Sequence, residues 1–175
     1  LTLWFQYIIA KECKGECFLV VYADDFIAGF QYPWEAERFY EQLRSRMAKF
    51  GLELEENKSR IVESGRYLAS LKAKRGESTR LGTFDFLGFT FYCGRTTKGN
   101  PWIMPKTSSK KFRQKVKEIK IWLYNNKEQK LGKLMYMLNV KLVGHYRYYG
   151  ISFNSRMISN YKQQVRELLY KVLNR

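Results

Sequence analysis

Val20-Val21-Tyr22-Ala23-Asp24-Asp25-Phe26-Ile27-Ala28-Gly29-Phe30 is the stretch that decides the fold of this chain. Two short β-prone runs, 18–22 and 26–30, flank an acidic turn, a pattern that predicts a β-hairpin. Adjacent carboxylates at a hairpin tip repel each other unless a positive charge sits beside them. Mg²⁺ is the natural counter-charge, because it takes oxygen ligands and is commonly held by one or two carboxylates plus substrate phosphates. Flanking strands hold such carboxylates in place, as a metal site requires. Two ions about 3.5–4 Å apart can activate an attacking hydroxyl and stabilise the leaving oxygen of a phosphoryl transfer. Small Ala23 leaves room for a nucleic-acid backbone at the turn. The same residues also read as a solvent-facing turn in which aspartate is merely a good turn former. Local sequence leaves both readings open.

Outward from the hairpin, residues 1–11 read as the end of an apolar helix, and Pro33 opens a helix over 34–50 that Gly51 stops. Short strands are predicted at 52–54 and 59–62, a basic loop at 72–80, and the most β-prone run at 84–92. Residues 94–105, with Gly99, Pro101 and Pro105, read as a turn-rich linker. Beyond them the period becomes helical. Phe112, Val116, Ile119 and Leu123 mark one helix behind Thr107 and Ser108 as candidate N-caps. Leu134, Leu138 and Leu142 mark a second helix over 131–148. Ile158, Tyr161, Val165, Leu168 and Val172 mark a third, so the last segment predicts a three-helix bundle. The fold class is therefore α+β: an antiparallel sheet with an acidic hairpin and packed helix, followed by a basic three-helix unit.

Composition narrows the function. The 175 residues are 45% apolar and 17% aromatic, which excludes a disordered basic tail. The net charge is +16. Residues 1–105 contribute only +2 of it and residues 106–175 the other +14. Such asymmetry suits a polyanion partner, since each neutralised phosphate releases condensed counterions. A generically basic helical domain is the plainer alternative. Lys110, Lys111, Arg113, Lys115, Lys117 and Lys120 cluster on and before the first helix of the bundle. Arg147 stands among Tyr146, Tyr148 and Tyr149, an arrangement suited to phosphate contact and base stacking, or equally to packing between helices with the hydroxyls at the rim. Cys13, Cys17 and Cys93 make no zinc set with one distant histidine. His145 has no nucleophile beside it and reads as packed or phosphate-facing. No bilayer-spanning run or signal peptide is visible, so a cytoplasmic protein with no membrane partner is expected. The chain starts at Leu1 inside a helix and reads as a piece of something longer.

VVYADDFIAGF (20–30) resembles the catalytic hairpin of reverse transcriptases, in the YADD form usual in group II intron-encoded proteins and their bacterial relatives. The resemblance extends along the chain. GLELEENKSRIV (51–62) is similar to the next palm motif, and FDFLGFTFY (84–92) to the primer-grip hairpin. MPKTSSKK (104–111) resembles the entry to the thumb, and LNVKLVGHYRYYG (138–150) the thumb's Leu-Asn…Gly-(Trp/His)-x-x-Tyr-Tyr stretch, with His145 where the family usually has Trp.

The resemblance implies the later part of a palm over 1–93, a linker over 94–105 and a maturase-type RNA-binding thumb over 106–175. Asp24 matches the aspartate that binds both metals, and Asp25 its weaker neighbour. The implied cofactor is a pair of Mg²⁺ ions, with Mn²⁺ able to substitute. Tyr22 and Ala23 would line the primer terminus. Lys58 matches a lysine that steadies departing pyrophosphate, although it also reads as a plain surface lysine beside Glu55 and Glu56. Phe86, Leu87 and Gly88 would form the primer grip, and Lys106, Lys110, Lys111, Arg113, Lys117, Tyr146, Arg147 and Tyr149 would contact RNA or template–primer. The implied activity is RNA-directed DNA polymerisation, with RNA template, DNA primer, deoxynucleoside triphosphates and intron RNA as partners. The third palm carboxylate and the fingers have no match, so the segment alone is expected to be inactive. Two alternatives stand beside this: a maturase-like splicing cofactor with little polymerase activity, and a domesticated relative in defence or repair.

Overall fold

A computed structural model of the chain describes residues 1–55, 59–76 and 81–174. It divides into two compact units, Leu1–Glu63 and Ser64–Arg175. In the first, helical segments α1 (Thr2–Trp4) and α2 (Ala10–Glu12) are joined by a π-helical turn, Phe5–Ile9. Strands β1 (Cys17–Tyr22) and β2 (Asp25–Phe30) pair antiparallel, from Cys17 opposite Phe30 to Tyr22 opposite Asp25. Helix α3 (Pro33–Lys49) follows, with proline at its first position, where the missing N–H costs no bond. It ends in a Schellman motif. Gly51 N–H reaches Ala48 O (3.1 Å), Leu52 N–H reaches Met47 O (3.0 Å), and Gly51 supplies the left-handed φ of +66°.

The core of this unit is Phe5, Ile9, Phe39 and Leu43. Cys17, Leu19, Phe26, Ala28 and Phe30 of the hairpin's inner face pack against it. Phe30 and Phe5 lie 5.1 and 5.5 Å from the Phe39 ring, in the tilted and edge-on geometries that aromatic quadrupoles favour. Glu35 is buried, and its Oε1 accepts the N–H groups of Lys14 (2.6 Å) and Gly15 (3.2 Å), which fixes the loop entering β1. The strands expected at 52–54 and 59–62 do not form among the described residues. After the Schellman cap the chain turns away with Leu52 and Ile61 exposed, and neither run finds a ladder to join.

In the second unit the expected basic loop begins instead as helix α4 (Arg66–Lys74); residues 77–80 lie outside the described residues. The run Tyr-Leu-Ala-Ser-Leu-Lys-Ala-Lys is rich in strong helix formers, Ala69 is buried, and Lys72 and Lys74 sit at the favourable end of the helix dipole. Strands β3 (Phe84–Phe86), β4 (Phe89–Arg95) and β5 (Pro101–Thr107) form an antiparallel meander. Residues 94–105, expected as a turn-rich linker, instead lie in the β4–β5 hairpin: 94–95 end β4, 96–100 make the connection and 101–105 belong to β5, with Phe89 opposite Thr107 and Arg95 opposite Pro101. β5 pairs on one side only, and an edge strand tolerates prolines that a central strand would not.

Ser108 caps helix α5 (Ser109–Asn126), its Oγ accepting from Lys111 N–H (3.3 Å), as anticipated. Helices α6 (Leu131–Tyr149) and α7 (Ser155–Leu173) complete the bundle. Ile119, Leu123, Leu134, Leu138, Tyr161, Val165 and Val172 form its core, with Phe112, Val116, Leu142 and Leu168 packed around them. A polar latch ties bundle to sheet. Asn154 is fully buried; its Oδ1 accepts from Thr107 N–H (2.8 Å) and its Nδ2 donates to Thr107 Oγ1 (2.9 Å) and Tyr149 O (2.8 Å). Asn154→Ala strands the buried Thr107 N–H on β5, while the Tyr149 carbonyl keeps its bond from Ile151 N–H (2.9 Å). One buried orphan costs roughly 1–3 kcal/mol, so the substitution should destabilise the protein by about that amount in urea unfolding, with the slope of the transition unchanged.

Candidate functional site

The acidic tip is built by strand register. Tyr22 and Asp25 are the last pair of the ladder, so Ala23 and Asp24 alone make the turn. Ala23 takes a φ of +50°, a left-handed conformation that costs a non-glycine residue roughly 1–2 kcal/mol. Strain of this kind persists only where the surroundings over-determine it. Here the surroundings are the inner face of the hairpin, locked onto Phe5 and Phe39. Because side chains alternate along a strand, burying Leu19, Phe26, Ala28 and Phe30 turns Phe18, Val20, Tyr22 and Asp25 to the other face. The ring of Phe18 lies across Gly29, where a Cβ would stand 2.2 Å from it. Asp24, Asp25 and Tyr22 are all exposed. Two hard oxygen donors on adjacent residues suit a divalent ion that keeps several waters or phosphate oxygens in its shell. Among the described residues no cluster of three or more His, Cys, Asp or Glu forms around them or elsewhere.

Lys58 lies outside the described residues. Phe86, Leu87 and Gly88 come together at the β3–β4 turn. Leu87 (φ +50°) and Gly88 (φ +78°) are both left-handed, the signature of a type I′ hairpin turn. Gly88 is required twice over, by its φ and because a Cβ there would stand 3.0 Å from the Tyr149 hydroxyl. Its carbonyl accepts from Ser108 N–H (2.9 Å).

The predicted basic residues divide by environment. Lys106 is exposed, with Nζ 5.1 Å from the centre of the Tyr92 ring. Lys110, Lys111, Arg113 and Lys117 are exposed along α5, and Lys110, Arg113 and Lys117 recur at helical spacing opposite the buried Ile119 and Leu123. Arg113 Nε also donates to Ser109 O (3.2 Å). Lys115 is engaged with Glu118 at 2.8 Å, which together with Gln114 holds that carboxyl below its ordinary value. Arg147 is exposed.

The assignment of Tyr149 needs correction. Tyr149 is only 5% exposed, wedged 5.2 Å from Phe89 and 4.7 Å from His145, and burial raises its pKa. It is a core residue and offers no face to a nucleic acid. Tyr146 is half-buried against the bundle core, with its pKa also raised by burial. Tyr148 is the exposed tyrosine of the run, and its hydroxyl donates to Leu87 O (2.9 Å). Its position four residues after Gly144 carried no signal of this, because the partner is 61 residues away.

Of the two readings of His145, packing holds. The ring stacks on Tyr161 at 3.7 Å, and Nδ1 is buried without a partner among the described residues. Burial, reinforced by Lys115, pushes its pKa down to about 4. The three cysteines are free thiols, and burial with the neighbouring Cys17 pushes Cys13 up to about 11. Between pH 6.5 and 4 the unfolded chain binds a proton at His145 that the native state refuses. Stability from this group is therefore complete above pH 6.5 and is lost as pH falls towards 4, by up to about 3 kcal/mol. Comparing chemical unfolding of the wild type with His145→Phe from pH 7 to pH 4 should show a shallower pH dependence in the variant.

A family model described as reverse transcriptase (RNA-dependent DNA polymerase) matches residues 4–91, half of the chain. A second, described as group II intron, maturase-specific domain, matches residues 109–175. No curated protein and no solved structure matches the chain.

Proposed function

The chain belongs to the reverse transcriptase family and carries the maturase-specific domain of group II intron proteins; from that premise we propose that Asp24 and Asp25 form part of a two-metal nucleotidyl-transfer site. One observation carries the reading. Two adjacent carboxylates stand exposed on a strained turn whose strands are locked to an aromatic core. Any two-residue hairpin turn takes a left-handed first residue; what a solubilising turn does not need is a pair of adjacent carboxylates on a base locked to an aromatic core. Asp24 and Asp25 would hold the divalent ions, Mg²⁺ or Mn²⁺. When bound, such ions offset charge on the attacking primer hydroxyl and the leaving pyrophosphate.

This chain's residues supply placement. Asp24 sits in the turn and Asp25 on the strand, so the two carboxylates leave the backbone at different points of one rigid tip. Tyr22, cross-strand from Asp25, shares its face and would line the floor beneath the primer terminus. Leu87 and Gly88 would approach the primer backbone through their turn, and Lys58 would steady the departing pyrophosphate. Palm residues would run to the β3–β4 turn and the thumb from Lys106, with β4–β5 as sheet rather than linker between them.

Lys106, Lys110, Lys111, Arg113, Lys117 and Arg147 would contact the template–primer or intron RNA through phosphates. An A-form duplex exposes backbone and 2′-hydroxyls rather than readable base edges. The concentration of positive charge after residue 105 favours a second reading, a maturase-like RNA clamp in which polymerisation is minor.

Two measurements on the intact protein that carries this chain separate the readings. Asp24→Asn with Asp25→Asn should reduce Mg²⁺-dependent primer extension on an RNA template by roughly 10²-fold or more, with RNA affinity retained. An inactive wild type that binds structured RNA tightly would move the assignment to the clamp. Replacing Lys110, Lys111 and Arg113 by alanine should weaken RNA binding and lower the slope of log affinity against log salt by about 2–3, near one unit per lost phosphate contact. A slope that does not move would remove these residues from the interface.

A further inference from the structure

We propose that Tyr148 is a positioning residue for the β3–β4 turn, setting the backbone of Leu87 and Gly88 from helix α6. The proposal rests on the reading of that turn as primer-proximal. The Phe86–Phe89 pair closes the turn, and further contacts hold it from outside. Two consecutive residues are left-handed, and one of them is a leucine, for which that conformation is strained. Its two carbonyls are both held from outside the hairpin. Leu87 O accepts from the Tyr148 hydroxyl (2.9 Å), and Gly88 O accepts from the N–H of Ser108, the cap of α5.

The ring geometry makes Tyr148 separable from the fold. It stacks on Phe89 with centroids 5.9 Å apart and planes 16° from parallel, yet it remains 52% exposed. Its hydroxyl can therefore find water whenever Leu87 lets go, so folding alone does not need the bond. Tyr149 next door is the opposite case: buried, and pressed against Gly88, Phe89 and His145. Adjacent tyrosines thus divide the work, Tyr149 packing sheet to bundle and Tyr148 fixing the tip. Asn154 completes the connection by joining β5 to the end of α6. The turn is consequently carried by the helical bundle.

Tyr148→Phe keeps the stacked ring and deletes only the donor, and Gly88→Ala perturbs the turn directly. Both are compared with the wild type in the intact protein by steady-state primer extension, template–primer affinity, thermal melting and amide hydrogen exchange at residues 87–89. Tyr148→Phe should lower kcat by about 5–20-fold, the scale of a small misplacement of reacting groups. Template–primer affinity and melting temperature should stay within error, and exchange at the turn should quicken. Gly88→Ala should impair extension at least as much. Wild-type kcat and exchange in Tyr148→Phe, with Gly88→Ala impaired, would overturn the role of Tyr148 and leave the primer-grip reading standing. Faster exchange in both variants with extension untouched would instead overturn the primer-grip reading, and the proposal with it. A fall in melting temperature that accounts for the lost activity would reduce Tyr148 to a stabilising residue.

Discussion

The alternation of side chains along β1 and β2 is the constraint on which the acidic site depends. Once Leu19, Phe26, Ala28 and Phe30 are committed to the aromatic core around Phe39, no freedom remains at the tip. A slip of one residue would bring Phe18 and Val20 inward and carry Asp25 towards the core, where a carboxylate without a partner is expensive. The register therefore places Tyr22 and Asp25 on the outer face and leaves a turn of two residues, the first of them a strained alanine. Hydrophobic burial on one face thus becomes charge placement on the other.

The second unit uses a different device. Its sheet and bundle meet through hydrogen bonds whose partners are distant in sequence: Asn154 to Thr107, Tyr148 to Leu87, and Ser108 to Gly88. Buried polar networks of this kind are stabilising only when every member is satisfied. At Asn154 three such bonds converge on a side chain with no solvent access. The β3–β4 turn is thereby tied to the helical bundle within the unit Ser64–Arg175.

Charge and aromaticity, mixed in the sequence of this unit, are sorted by the fold. Lys110, Arg113 and Lys117 line the side of α5 away from the core, while Tyr149, Tyr161 and His145 stack inside. The histidine is held neutral in that stack by burial. No helix among the described residues is long and apolar enough to cross a membrane, and the excess positive charge is left facing water on the helices of the family's maturase domain.

Much of this was legible in the amino-acid order because it is local. Short β-prone runs around an acidic turn mark β1 and β2 and the Ala23–Asp24 reversal, helical spacing marks α3 and α5 to α7, and the family resemblance marks the Leu87–Gly88 bend. The carboxylate pair and the basic stripe are written in consecutive or helically spaced residues, and the family motifs lie in the right order. The misses are all questions of partners. Pro101 and Pro105 read as a linker because nothing nearby reveals that β5 is an edge. Leu52–Leu54 reads as a strand although no ladder receives it, and Lys72 and Lys74 read as a loop although Ala69 is buried above them. Tyr146, Tyr148 and Tyr149 read equally as RNA-contacting or as packed between helices, because a tyrosine in a core and one on a surface share the same helical spacing. Which ring is buried, which hydroxyl meets Leu87 and which asparagine closes the latch depend on residues tens of positions away. Sequence alone therefore determined the family this chain belongs to and most of the elements that present its motifs. Only the tertiary structure decided which residues face solvent and which hold the others in place, because burial and hydrogen bonding are properties of contacts rather than of order along the chain.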